Sequence, residues 1–342
     1  MVSSGYKIIF FVVKLILIFF IFGFLFWQAS RNNSFTELFR QRPCWEFIAF
    51  AFLFQCFSVS LTFIRWRILA VTLGLMLSFK DAFRYGFLGL ALSLAPMGIF
   101  GGDAMKTYLL MRRNPELRSA ALASVFVDRV VGLLAMFICA TVFICLTGFV
   151  FRVEVLAGSV SNVVFLFTVV GFLGCVFMFL PVFSGNDIER LTLIIPVFGK
   201  YIIKLVRPLL VYRSNWRSVL ICFLMSLPVH LSFGVSLWFL SSGIFTSLKV
   251  PSLPEHIMLY SAVNITSMIP LAAGPFEFVL AQLYPLFGVA IGVGMMVAIA
   301  FRIIAILVAA IGIIFYFTLR AELHEAKEDI EQWNDKNKNI TN

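Results

Sequence analysis

Ala95-Pro96-Met97-Gly98-Ile99-Phe100-Gly101-Gly102-Asp103 interrupts an apolar region running over 85–116, and Ile269-Pro270-Leu271-Ala272-Ala273-Gly274-Pro275-Phe276-Glu277 interrupts a second one over 257–288. Proline removes a backbone donor and glycine favours turns, so neither region makes a comfortable straight helix. Each reads as two half-helices that enter a membrane and return on the same side, or as one kinked span.

The regions around them set the solvent. Of 342 residues, 61% are hydrophobic, 13% are charged and 41 are phenylalanine, with a mean hydropathy of +1.00. Soluble domains run near 45–50% apolar and about 25% charged, which excludes a water-soluble globular protein. Lys+Arg 27 against Asp+Glu 17 gives net +10. In a membrane chain this excess belongs to cytoplasmic loops facing anionic lipid, and nucleic acid is discounted as a partner.

A hydrocarbon core of about 30 Å needs roughly 20 apolar residues per helix. The runs 7–28, 45–64, 119–147, 160–183, 217–243 and 290–318 meet that need. The expected fold is therefore an all-α polytopic membrane protein of six full spans plus two Pro/Gly-broken re-entrant hairpins, eight hydrophobic segments in all. Broken-helix turns are assigned to Pro96, Gly101 and Gly102 in the first hairpin and to Pro270, Gly274 and Pro275 in the second. With a cytoplasmic N-terminus this arrangement puts 16 basic residues inside and 5 outside, as the positive-inside rule requires. Two full crossings would place the basic stretches 65–84 and 103–118 on opposite faces. The N-terminal run is longer than a signal-peptide core and is read as a retained span. Both termini are expected in the cytoplasm of a cell whose inner membrane holds the chain.

The two broken regions also match each other. Ser93, Pro96 and Asp103 align with Ser267, Pro270 and Glu277 at an offset of 174, and Asp128-Arg129-Val130-Val131-Gly132 parallels Phe301-Arg302-Ile303-Ile304-Ala305 at 173. An inverted internal repeat follows from this order and from hairpins entering from opposite sides, a plan that places ligand sites at the repeat interface. The expected organisation is one membrane domain over 1–320: an anchor span (1–44), repeat A (45–147), a linker span with a basic cytoplasmic loop (148–216) and repeat B (217–320). A solvated tail covers 321–342.

Charges inside such runs need explaining, because an Arg deep in a bilayer costs several kcal/mol and needs a partner or a water-filled cavity. Arg129 and Arg302 each lie about 15–18 Å into their runs at 1.5 Å per residue. Asp103 and Glu277 precede them by about 25 residues. Either the guanidinium forks bind a phosphate or another anion with help from half-helix N-termini, or the acid–arginine pairs fasten hairpins to long helices. The pairs can also alternate between the two roles. Lys106, one turn after Asp103, is a further phosphate contact or a snorkelling lysine. Asp128 cannot share a helix face with Arg129 and is assigned a partner on another helix. Arg65-Trp66-Arg67 is read as closing a span at the inner headgroups. Gln55, His230 and Asn264 read as packing contacts between helices more readily than as ligands. The six cysteines and three histidines form no C-x-x-C pair or metal spacing, so no cofactor and no metal are expected.

Gly101-Gly102-Asp103 with Lys106, Asp128-Arg129-Val130-Val131-Gly132-Leu133, Pro270 through Gly274 to Glu277, and Arg302 together resemble the lysylphosphatidylglycerol synthase transmembrane region family, the flippase-like proteins. The resemblance covers roughly 8–320. It implies an inner-membrane protein related to the flippase half of the aminoacyl-phospholipid synthases, without the soluble aminoacyltransferase domain. The chain departs from the family pattern at Phe276, where an Arg is common, and at Lys106, where the basic residue comes earlier. The expected activity is non-enzymatic movement of a phospholipid or polyprenyl-phosphate-linked lipid between leaflets, with Arg129, Arg302 and Lys106 on the headgroup and Asp103, Glu277 and Asp128 as gating or ion-pair carboxylates. A lipid-modifying enzyme or glycosyltransferase is the expected partner. The alternatives are a secondary transporter of a soluble anion and a membrane glycosyl- or phosphotransferase; the outer side offers the latter only scattered acids.

Overall fold

A computed structural model describes residues 41–93, 98–179, 208–269, 271 and 273–318, together with Ile16, Phe20, Ile21, Gly23, Phe24, Phe26, Trp27 and Ser30. The described residues form helices and turns without a strand. Uncharged chain in lipid has to satisfy its backbone internally, and helices do this segment by segment. The helices are α1 (Trp45–Thr72), α2 (Phe79–Ser93), α3 (Gly98–Arg113), α4 (Arg118–Leu146), α5 (Val155–Phe179), α6 (Trp216–Ile244), α7 (Leu253–Val263), α8 (Pro275–Leu283) and α9 (Ile291–Thr318). Among the described residues five stretches are long and apolar enough to cross a membrane: Trp45–Thr72, Pro115–Leu146, Val155–Val176, Trp216–Ile244 and Ile291–Phe315. They coincide with five of the six expected full spans. The remaining run, 7–28, lies largely outside the described residues.

Two local expectations are corrected. The first long helix does not stop at Arg65-Trp66-Arg67 but continues through Ile68-Leu69-Ala70-Val71 to Thr72, because the apolar sequence resumes and the two arginines find partners within the protein. Gly101 and Gly102 do not form the turn of the first broken region. They sit inside α3, where Gly102 serves close packing: a Cβ there would lie 2.1 Å from the Gly89 carbonyl oxygen of α2. Pro96 and Pro270 lie outside the described residues. Gly274, by contrast, does occupy a turn, at φ +109°, which L side chains rarely adopt, and Pro275 follows as the first residue of α8.

Helices α1 and α6 run antiparallel along their whole length. The Cys44 N–H donates to Gly243 O at 2.8 Å at one end, the Ser236 hydroxyl donates to Ala51 O at 2.7 Å further along, and Cys222 Sγ lies 3.6 Å from Arg65 O near the other end. Side-chain to backbone bonds of this kind, with small residues at the seam, hold helices together where lipid offers no hydrophobic drive. Phe239 adds aromatic contacts to Phe47 and Phe54, with ring centroids 5.4 and 5.6 Å apart.

The broken regions are helical hairpins. At the base of the first, Met76 N–H donates to Asn114 Oδ1 at 2.8 Å, and Arg113 pairs with Asp81 at 2.6 Å. Near its tip α2 and α3 touch at Gly89 and Gly102. Both ends of this hairpin therefore lie together, and Arg67 Nε ties that base to the α1 C-terminal end through Leu77 O at 3.1 Å. In the second hairpin His256 Nε2 lies 3.0 Å from the Tyr284 hydroxyl, which donates to Ser241 Oγ of α6 at 3.4 Å. Its base thus sits at the α6 C-terminal end, opposite the first. Ser252 starts α7 with a capping box to Glu255. Helix α2 packs on α9 and α7 packs on α4, while α3 lies on α4 and α8 on α9.

Candidate functional site

Asp103 and Lys106 are three residues apart on α3, so both project toward α4 and α1. Arg129, on α4, grips Asp103 bidentately: Nε donates to Oδ2 at 2.5 Å and Nη2 to Oδ1 at 2.7 Å. Lys106 Nζ reaches the same Oδ1 at 2.9 Å. Two cations thus converge on one carboxylate. The Arg129 side chain is nevertheless 44% exposed, on an open stripe with Leu122 and Phe126. Lys106 is buried and does not snorkel. Its ammonium lies 5.4 Å from the centroid of the Trp66 ring.

The second half builds a different site from similar spacing. Glu277 is the third residue of α8, and its Oε2 accepts the Gly274 N–H at 2.7 Å, satisfying a free donor at the helix start. Its other oxygen accepts from Arg302 Nε of α9 at 2.5 Å. The acid is 0% exposed and Arg302 27%. Phe276 stacks on Phe301 with ring centroids 5.7 Å apart, and Tyr260 of α7 lies 5.8 Å from Phe301. The three rings form an apolar cluster, and Phe276 and Phe301 are next in sequence to the residues of the pair.

Asp128 faces away from Arg129, as adjacent helix positions require, and pairs with Arg65 of α1 at 2.7 Å. Arg65 Nη1 also donates to Ser226 Oγ of α6 at 2.9 Å, so one buried guanidinium joins three helices. One turn along α6, His230 Nε2 lies 3.0 Å from the Gly132 carbonyl. Breaking a buried pair by removing one partner typically costs about 3–5 kcal/mol. Sequence reasoning assigned Asp128 a partner on another helix without identifying it, because Arg65 was read as a headgroup anchor. The apolar run continuing past Arg67 was the available signal.

The structure therefore groups Asp103, Lys106 and Arg129 in one cluster, Glu277, Gly274 and Arg302 in another, and Asp128 with Arg65 in a third. Among the described residues no group of three His, Cys, Asp or Glu could hold a metal ion. The chain matches the family described as Lysylphosphatidylglycerol synthase TM region over residues 11–312. No curated protein and no solved structure matches it.

Proposed function

Because the chain belongs to the lysylphosphatidylglycerol synthase TM region family, a multi-pass membrane family, we propose that it moves a phosphate-bearing lipid between the leaflets of the cytoplasmic membrane without changing it chemically. The observation that carries this reading is Arg129. It is charged and paired, yet half open, on a helix otherwise apolar enough to cross a membrane. Leu122 and Phe126 share its open face, so a headgroup on the guanidinium and acyl or prenyl chains along the stripe occupy one side of the helix.

The two halves are inverted copies, and the hairpins are re-entrant, giving eight membrane segments with the anchor span. Two features support this. The hairpin bases lie at opposite ends of the α1–α6 pair. Each first arm packs on the last long helix of the other half, α2 on α9 and α7 on α4. Hairpin arms of 15 and 16 residues span about 22–24 Å, short of a bilayer core of about 30 Å. The base with Lys80, Arg84, Arg112 and Arg113 faces the cytoplasm.

In the transport cycle the phosphate displaces Asp103 from Arg129, and the freed carboxylate stays on Lys106; Arg302 offers the matching cation in the other half. The chain is not an enzyme in this reading. Among the described residues, Asp103, Asp128 and Glu277 are engaged in ion pairs and Glu255 in a helix cap, so none of these four is a free acid for group transfer. A lipid-modifying enzyme or a glycosyltransferase supplies the lipid. The test is leaflet-resolved quenching of a fluorescent anionic phospholipid in proteoliposomes. Native protein should accelerate exchange, and Arg129→Ala and Arg302→Ala should each slow it tenfold or more. Unchanged rates in both variants remove the site. Concentrative uptake of inorganic phosphate into sealed vesicles, without lipid exchange, would replace this reading with a soluble-anion transporter.

A further inference from the structure

The first half carries a charge that the second does not. Asp103 supplies one negative charge to two cations, Arg129 and Lys106, and the neighbouring Arg65–Asp128 pair is neutral within itself. The cluster is therefore one positive charge in excess. In the second half Glu277 and Arg302 balance, and the position equivalent to Lys106 at the offset of 174 is Leu280, buried and apolar. An uncompensated cation away from bulk water is unfavourable until a counter-charge reaches it.

A second feature lies at the same place. Trp66 is 1% exposed, and its indole N–H has no hydrogen-bond partner, although buried indole donors ordinarily find one. The Lys106 ammonium sits over the face of this ring, 5.4 Å from its centroid. The lysine is held there by packing. Its stem lies so close to Gly89 that a Cβ at that glycine would be 2.8 Å from Lys106 Cγ, so the ammonium stays inside. An unpaired donor beside an unbalanced cation is the local chemistry of an anion site.

We propose that Trp66, Lys106 and Arg129 form a resting site for one phosphate monoanion, with the indole N–H donating to a phosphate oxygen, and that the second half has no equivalent. The inference rests on the transport reading and deepens it: the headgroup waits in the cytoplasmic half and only passes Arg302. Trp66 is thereby a ligand-binding residue rather than a membrane-surface anchor.

The experiment is calorimetric titration of the purified full-length protein in detergent with two probes. One is dihexanoyl phosphatidylmethanol, a phosphodiester lipid monoanion; the other is inorganic phosphate. Trp66→Phe keeps the ring and removes only the N–H, and it should weaken the lipid probe roughly tenfold, the usual scale for a lost hydrogen bond to a charged group. Lys106→Met should weaken it at least as much, Lys106→Arg less than threefold, and the paired change Arg302→Met/Glu277→Gln less than threefold. Unfolding midpoints within a few degrees of native certify each variant. Native affinity in both Trp66→Phe and Lys106→Met overturns the site. A loss in Arg302→Met/Glu277→Gln equal to that in Lys106→Met overturns the asymmetry. Equal affinity for inorganic phosphate and the lipid probe overturns a lipid headgroup as the ligand. Should these affinities come out as expected while native proteoliposomes exchange no lipid, the transport reading falls and the binding site stands.

Discussion

Asp103 and Glu277 lie 174 residues apart in similar sequence settings, yet they do different work. Each follows a Pro/Gly interruption, and each meets an arginine on a long helix further along the chain. Asp103 is shared by two cations and opens toward a half-exposed guanidinium. Glu277 is sealed, with one oxygen on its own helix start and the other on Arg302. The difference comes from where each helix begins. Helix α8 starts at Pro275, so Glu277 falls in the first turn, where a carboxylate bends back to the free N–H of Gly274. Helix α3 starts at Gly98; Asp103 lies beyond its first turn, and its oxygens are left to side chains. A spacing of 25 residues to the long-helix arginine thus gives a clasp at Glu277, and one of 26 gives an open cluster at Asp103.

The comparison is broken most directly by removing each acid. Glu277→Ala strands the partly buried Arg302 and uncaps α8, and should destabilise the protein by about 4 kcal/mol. Asp103→Ala strands the buried Lys106 as well as Arg129, so the double change Asp103→Ala/Lys106→Met, which leaves only the half-open Arg129 without its acid, should lose about half as much. Chemical unfolding in mixed micelles measures both, and equal losses would mean that Asp103 is as structural as Glu277. The turns give the next largest effect. Gly102→Ala forces α2 and α3 apart and should cost about 1–3 kcal/mol through overpacking. Gly274→Ala acts instead through its positive φ, with a strain of about 1–3 kcal/mol. Cross-linking a cysteine pair that flanks the Gly89–Gly102 contact distinguishes them: Gly274→Ala leaves the cross-link rate unchanged, and Gly102→Ala slows it. The smallest effect sharpens the contrast between base and interior. Arg113 pairs with Asp81 at the hairpin base while 43% exposed, so Arg113→Gln should cost less than about 1 kcal/mol. A larger loss would show that the base, and not the buried acids, fixes the hairpin.

Much of the fold was legible because lipid is a strict solvent. Apolar length alone located five of the long helices, and proline with glycine located both interruptions. Asp103–Arg129 and Glu277–Arg302 were legible as one of two readings, since a charge inside an apolar run requires a partner or a bound anion, and each arginine has an acid about 25 residues before it. Arg65 was not legible as a buried residue. Two arginines flanking a tryptophan look the same in sequence at a headgroup boundary as they do inside a bundle; only the approach of Asp128 and Ser226 from α4 and α6 separates the cases. Lys106 was undecided for a similar reason. A lysine stem can snorkel or fold inward, and the close fit of its stem at Gly89 decided it.

The sequence by itself determined that this chain is a multi-pass membrane protein, where its long helices lie and which charges cannot stand alone, because the free energy of a residue in lipid depends chiefly on its own polarity. Tertiary structure alone decided which cation meets which acid, which pair is sealed and which is open. Those outcomes depend on distances of a few ångströms between helices far apart in the chain, and no property of a single residue contains them.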